Sequence, residues 1–356
     1  TNLEARTQGG DIFIAETNAL VIGGATLGGL VGISAGAGNV TVAAGGTVTQ
    51  TEAIAAGTLT LEGAGRTFTL NGAGNAITTL DADNTALAAL NFKEDSGFAV
   101  AGINSTGAVT LGSVGGTVTQ TGVIAATTLT LTGAGGTFTL NGANNAVTTL
   151  DANNSALAAL SFQDNTGFAI AGINVTGNAT LSSTGTVTQS AVISAAGLEL
   201  LGAGATYTLN TQNNAITTLA GNTGTVSFQD NTGFAIGTVN TVGLTSSGNT
   251  TLTSTGAVTQ SQAITTPTLT LTGVGGTFTL NGANNAVSTL DADNTALAAL
   301  SFKDDTGFTV AGINTTGAVT LESVGGTVTQ TGVIAATTLT LTGVGGTFTL
   351  NGANTR

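Results

Sequence analysis

Along most of this chain an apolar residue alternates with threonine. The segments TVTQ, TFTL and TLTLT put Val, Phe or Leu at every second position. A period of two marks a strand with one face buried and the other in solvent. In TFTL, Phe and Leu point inward and both Thr point outward. Clusters such as GAGG, NGANN, DNTG and STG separate the strands, and their Gly and Asn tolerate the left-handed backbone of turns. Three strand types are predicted per coil. The first is TVTQ, TFTL or SFQD, the second GVIAAT, AVTTL or GFAIAGI, the third TLTLT, ALAAL or NATL. Asp151–Leu160 (DANNSALAAL) also fits one or two helical turns capped by Asn or Ser. The matching Ala220–Phe228 of a later copy (AGNTGTVSF) is plainly strand-like, so strand is expected.

The pattern recurs. TVTQ stands at Thr47–Gln50, Thr117–Gln120, Thr186–Gln189 and Thr327–Gln330, with AVTQ at Ala257–Gln260. The spacing is nearly constant at about 70 residues, and a long fixed period signals stacked units rather than one globular core. Residues 1–46 read as about two coils of divergent type, with Asp11–Ala15 and Asn39–Val42 as short strands. Residues 47–356 read as tandem repeats at 47–116, 117–185, 186–256, 257–326 and a partial 327–356. The array, without an initial Met and ending inside its fifth unit, is expected to belong to a longer chain. Val118, Phe138 and Phe162 sit in similar frames, as do Val187, Tyr207 and Phe228, and Val258, Phe278 and Phe302. Taken as equivalent, they divide each repeat into three coils and form an internal ladder. Phe168, Phe234 and Phe308 then add a second ladder. Coils of about 20–26 residues with short strands and glycine turns suit an all-β parallel β-helix, here of about 15 coils and roughly 70 Å at about 4.8 Å per coil. Only the step from Val to the first Phe or Tyr keeps one length in all five copies. The third repeat is irregular, with extra residues in Gly237–Gly248, which marks it as the place to seek a local site.

Composition narrows the chemistry. Hydrophobic residues make up 41% and charged residues 6%, a balance unlike that of disordered chains. There is no Cys, so disulfides and thiolate metal sites are excluded, and no His, so the usual general base and commonest metal ligand are missing. The net charge is −13, with only Arg6, Arg66, Lys93, Lys303 and Arg356 basic. A phosphate backbone is repelled by such a chain, which argues against nucleic acid. No apolar run is long enough for a transmembrane helix.

The segments VTQTGVIAATTLTLTGAGGTFTLNGANNAVTTL and VSFQDNTGFAIGTVNTVGLTSSGNTTL resemble the repeat regions of filamentous-haemagglutinin-like exoproteins, the large secreted partners of two-partner secretion systems. The resemblance covers roughly residues 47–356 and, more weakly, 1–46. It implies a right-handed parallel β-helix and export through an outer-membrane pore. It also implies residence outside a Gram-negative cell, with roles in adhesion, aggregation or biofilm. The expected function is the shaft of an extracellular adhesin or surface fibre. The expected partners are the chain itself, laterally or end to end, and host or bacterial cell surfaces. The alternative is a module whose faces recognise glycans or another cell's surface.

No residue is assigned to catalysis, to a cofactor or to a dedicated metal site. Acidic pairs occur at Asp81/Asp83, Glu94/Asp95, Asp291/Asp293 and Asp304/Asp305. Their reduction to single acids in other copies (Asp151, Asp164, Asp230) fits turn capping better than a paired-carboxylate enzyme site. Weak Ca²⁺ capture at acidic turns stays open. Ranks of TxT suggest an ice-binding face, but SFQ, NFK and SFK interrupt them in every repeat. Asn104, Asn174 and Asn314 lie in N-x-S/T sequons at one repeated position and are candidate glycosylation sites. Gln50, Gln120, Gln189, Gln260 and Gln330 are expected to close strands and bond to turns.

Overall fold

The computed structural model describes residues 1–25, 29–142, 144–282 and 284–355. Parts of two expected turns, Thr26–Gly28 in the glycine-rich Leu20–Ile33 stretch and the alanines of two NGANN turns, lie outside the described residues, as does Arg356. The chain divides into two compact units, Thr1–Gly177 and Asn178–Arg356. It is a parallel β-solenoid of about 17 turns, all-β, with no helix among the described residues. Asp151–Leu157 belongs to the strand Ala146–Leu157, so the helical alternative falls. The strand form wins because Leu150, Ala152 and Leu157 must face the interior, and all three are fully buried.

Inter-coil register shows how the repeat is wound. In the first unit one inward column runs Val48, Phe68, Leu90, Val109, Leu129, Leu150, Ile170. Its steps are nearly equal, the longest from Phe68 to Leu90 and the shortest from Leu90 to Val109. A coil therefore takes about 20 residues, the short end of the solenoid range, and a repeat of about 70 residues takes three and a half coils rather than the three expected. A second column, Val40, Leu59, Leu80, Val100, continues from Val100 to Gln120. Leu59 lies close to the midpoint of the chain between Val48 and Phe68, half a coil from either. Thr47–Gln50 thus belongs to the first column and Thr117–Gln120 to the second. The second unit repeats the alternation. Val187, Tyr207, Val226, Thr250, Leu269, Leu290 and Val310 form one column. Val258 lies in the other, with Phe234, Phe278, Leu300, Val319 and Leu339.

The constant first step is seen in all five copies, as Val48↔Phe68, Val118↔Phe138, Val187↔Tyr207, Val258↔Phe278 and Val328↔Phe348. The next step departs from expectation. Phe138 pairs with Leu160, Tyr207 with Val226 and Phe278 with Leu300. Phe162, Phe228 and Phe302 instead pair with Leu140, Leu209 and Leu280. All nine residues of the expected ladder are completely buried, so their facing is as read and their register is off by two. A slip of two positions keeps every side chain on its face, so alternation alone cannot detect it. The observed register sets Phe against Leu or Val, which interleaves large and smaller side chains and fills the core.

Phe168, Phe234 and Phe308 form no ladder of their own. The interval from Phe234 to Phe308 exceeds three coils. Each packs edge-on against the preceding Phe of its own repeat (Phe162, Phe228 and Phe302), with ring centroids 5.1, 5.2 and 5.0 Å apart, and Phe92 and Phe98 do the same at 5.1 Å. Edge-to-face geometry sets the positive rim of one ring on the negative face of the other. Tyr207 replaces Phe without leaving a bare hydroxyl, because its Oη lies 2.7 Å from the Leu201 carbonyl and 2.9 Å from that of Leu181. Burial pushes its ionisation far above the usual tyrosine range. Gly133 shows why the corners are glycine. It has φ +118°, and a Cβ there would lie 2.0 Å from the Ser113 carbonyl oxygen of the previous coil.

Truncating one ring tests this packing. Phe162→Ala removes a wholly buried side chain and its edge-on partner contact. It is expected to cost about 3–5 kcal/mol in denaturant unfolding; a loss below about 1 kcal/mol would contradict the packing described.

Candidate functional site

Three buried polar arrangements stand out against the apolar columns. The first recurs in every repeat. Gln50 Nε2 donates to Asn75 Oδ1, Gln120 Nε2 to Asn145 Oδ1 at 2.5 Å, Gln189 Nε2 to Asn214 Oδ1 and Gln260 Nε2 to Asn285 Oδ1. Gln330 meets Asn354 in the same way at 2.5 Å, but there the asparagine is exposed. Asn145 is 1% exposed. Its Oδ1 also accepts from Ile124 N–H at 2.8 Å, and its Nδ2 donates to the carbonyls of Leu140 and Gln163 at 3.3 and 2.9 Å. Gln120 Oε1 accepts from Gly142 N–H at 3.0 Å. The carboxamides thus tie together backbone from three successive coils. The glutamines were expected to bond to turns. The asparagines were missed, although each follows its glutamine at one fixed interval in the first four copies.

The second arrangement is a buried carboxylate. Asp164, Asp230 and Asp304 are each 0% exposed. One oxygen accepts from the backbone and hydroxyl of the next Thr along the chain, as Thr166 does at 2.8 Å for both. The other accepts from the backbone N–H of Val147, Ile216 or Val287 at 2.7–2.8 Å. These acids cap turns and pin one segment to another. In the first repeat Glu94 takes the place. Its Oε1 accepts from Ser96 N–H at 2.9 Å and Ser96 Oγ at 2.5 Å, but its buried Oε2 has no partner. One extra methylene carries the second oxygen past its donor.

The other acidic pairs lie elsewhere. Asp81 and Asp83, like Asp291 and Asp293, project outward from a strand, with Asp83 and Asp293 exposed. Asp81 titrates above the usual carboxylate range, through partial burial first and then repulsion from Asp83. Asp293 is raised by partial burial and then by its contact with Asp291. Asp95 and Asp305 pair with Lys93 and Lys303 at 3.1 and 3.6 Å. Among the described residues no three or more acids gather where they could hold a metal ion. Asn104, Asn174 and Asn314 are half-buried within outward-facing strand segments. Asn104 and Asn314 lie beside Ala125 and Ala335 of the next coil.

The third arrangement occurs once among the described residues. The additional residues of the third repeat fold back as a strap, closed by the Thr238↔Val242 bridge and by Gly243 N–H to Gly237 O at 2.8 Å. The strap covers Glu199, leaving it 1% exposed. Glu199 Oε1 accepts from Thr241 N–H and Oγ1, both at 2.6 Å. Oε2 accepts from Asn240 Nδ2 at 2.7 Å and Thr180 Oγ1 at 2.8 Å. Its partners are all neutral. Burial by itself would raise its pKa, but the bonds from Thr241, Asn240 and Thr180 outweigh it and hold the carboxyl below the ordinary glutamate range. Sequence irregularity pointed to the strap. It did not point to Glu199, which lies two coils earlier. Around this site the exterior is neutral. Between Asn178 and Leu290 the only charged residues are Glu199 and Asp230, and both are buried.

Residues 157–223 match a family model described as repeats of unknown function (DUF5649), which covers under a fifth of the chain. No curated protein and no solved structure matches the chain. The chain is thus a β-solenoid repeat protein with a region similar to that family.

Two substitutions test the buried carboxylates. Glu94→Asp is expected to bring the second oxygen back to a donor and to raise stability by about 1–2 kcal/mol. An unfolding midpoint that falls or stays put would refute that account of the unpaired oxygen. Glu199 binds its proton less tightly folded than unfolded, so its stabilisation is present above the unfolded-state value and lost as pH falls through the lower folded value. The protection of the Thr241 amide hydrogen, measured as exchange relative to its intrinsic rate at each pH, should therefore fall on acidification through that range, and Glu199→Gln should remove this pH dependence.

Proposed function

We propose that the chain is the structural shaft of a bacterial extracellular adhesin or surface fibre, serving adhesion, aggregation or matrix formation. The observation that carries this reading is the construction of the interior. Each coil is filled with Val, Leu, Ile and Phe, and each of the first four repeats is tied to its neighbours by a buried Asn–Gln clamp. A chain built in this way keeps its coils in fixed register over many repeats and leaves only its outer faces for contact. Those faces carry Thr, Ser, Asn and Ala in strand rows, which suits a spacer. The resemblance to filamentous-haemagglutinin-like repeats supports export through an outer-membrane pore of a Gram-negative cell. In this reading the partners are host or bacterial surfaces.

Antibody labelling of intact cells, paired with aggregation and adhesion assays before and after in-frame removal of the repeats, tests this. Surface labelling and reduced aggregation are expected. Labelling only after cell lysis, or unchanged aggregation and adhesion, would overturn it.

A further inference from the structure

The observed register changes the outer face as well as the core. In the second unit Thr188, Thr208, Ser227, Thr251 and Thr270 pair in turn across five consecutive coils. Thr186, Thr206, Thr225 and Thr268 stand two positions earlier on the same strands, and Asn249, just before its strand, puts one carboxamide in this second row. The rank that alternation alone shows as broken at SFQ is continuous, because Ser227 rather than Gln229 falls in line. Coils lie about 4.8 Å apart, and a two-residue step along a strand is about 6.6 Å. The rows therefore form a regular hydroxyl lattice. Among the described residues, none of these hydroxyls is hydrogen-bonded within the chain. The lattice lies in the stretch without exposed charge, and every aromatic ring there, Tyr207, Phe228, Phe234 and Phe278, is buried.

We propose that this face docks a second copy of the same chain. A hydroxyl both donates and accepts, so two such lattices can satisfy one another. Their periods match because both are set by the same coil spacing. A chain of net charge −13 repels its copies over most of its surface, but not here. A sugar partner would lack the aromatic platform on which rings stack. The half-coil phase of the repeats adds a second consequence. Leu198 lies close to the midpoint of the chain between Val187 and Tyr207, so its column is half a coil away. In that column a second row runs Thr259, Thr279, Ser301, Thr320, Thr340, flanked by the Lys303–Glu322 ion pair and with the Ser301 hydroxyl already accepting from Asn281 Nδ2 at 2.9 Å. Hydroxyl rows on two sides make association open-ended rather than closed at a dimer. The proposal rests on the fibre reading for its biological setting.

Sedimentation velocity and electron microscopy of the full chain test it. Ribbons or sheets that grow with concentration are expected. The double variant Thr208→Glu/Thr251→Glu, with an unchanged circular dichroism spectrum, should weaken association at least tenfold. Thr208→Ser/Thr251→Ser, which keeps the hydroxyls, should retain it. A chain that stays monomeric up to its solubility limit, or association indifferent to the glutamates, overturns the proposal. So does thermal hysteresis or binding to a neutral polysaccharide by the monomer that the glutamate variant loses, since the lattice would then match ice or glycan. A monomeric chain that still labels the cell surface sinks this inference and leaves the fibre reading standing.

Discussion

The buried carboxamide of one asparagine in each of the first four repeats is the interaction on which the winding depends. A parallel solenoid has a weakness that its apolar columns cannot cure. A strand that slips by two positions still turns Val, Phe and Leu inward and Thr outward, and it loses little packing. Asn145 removes that freedom. Its oxygen takes Ile124 N–H and the Gln120 side chain, and its nitrogen reaches the carbonyls of Leu140 and Gln163. A slip would leave a wholly buried amide without partners, at about 1–3 kcal/mol for each orphaned group. Apolar burial holds the coils together, and the polar clamp decides which coil residue meets which.

Against this, the legible part of the sequence is what period two can encode. The strand assignment of Asp151–Leu157, the inward facing of Phe162 and the pairing of each Val with the Phe or Tyr one coil on all follow from alternation and from the repeat. Coil length after the first step does not follow. Phe162 and Leu160 both belong to the inward set, and only three-dimensional packing selects Leu160 as the neighbour of Phe138. The clamp was half visible. The glutamines recur conspicuously, but Asn75, Asn145, Asn214 and Asn285 stand in turns where asparagine is expected for backbone reasons, and abundance hid them. Glu199 was illegible for a different reason. Its partners Asn240 and Thr241 are two coils further along the chain, and no local pattern joins them.

Charge is distributed with the same economy. In the middle of the second unit the carboxylates are internal and fully hydrogen-bonded, as at Asp230 and Glu199, whereas Asp83, Asp95 and Asp293 project from the strands and turns of other repeats. A buried acid satisfied by neutral donors contributes nothing to the outer surface beyond a weak field. Asp164, Asp230 and Asp304 cap turns and pin one segment to another from the inside, and the outer strand rows stay available for contact with neutral groups.

The half-coil remainder of each repeat bears on how such a chain lengthens. Duplicating one copy of the repeat advances the winding by three whole coils and half of another. Everything downstream is then turned to the reverse side relative to everything upstream. Two duplications restore the original facing. Growth by copying is thus sensitive to parity: even numbers of new repeats conserve the relative orientation of flanking segments, and odd numbers invert it. A gain or loss of a single copy acts as a rotation as well as a change of length.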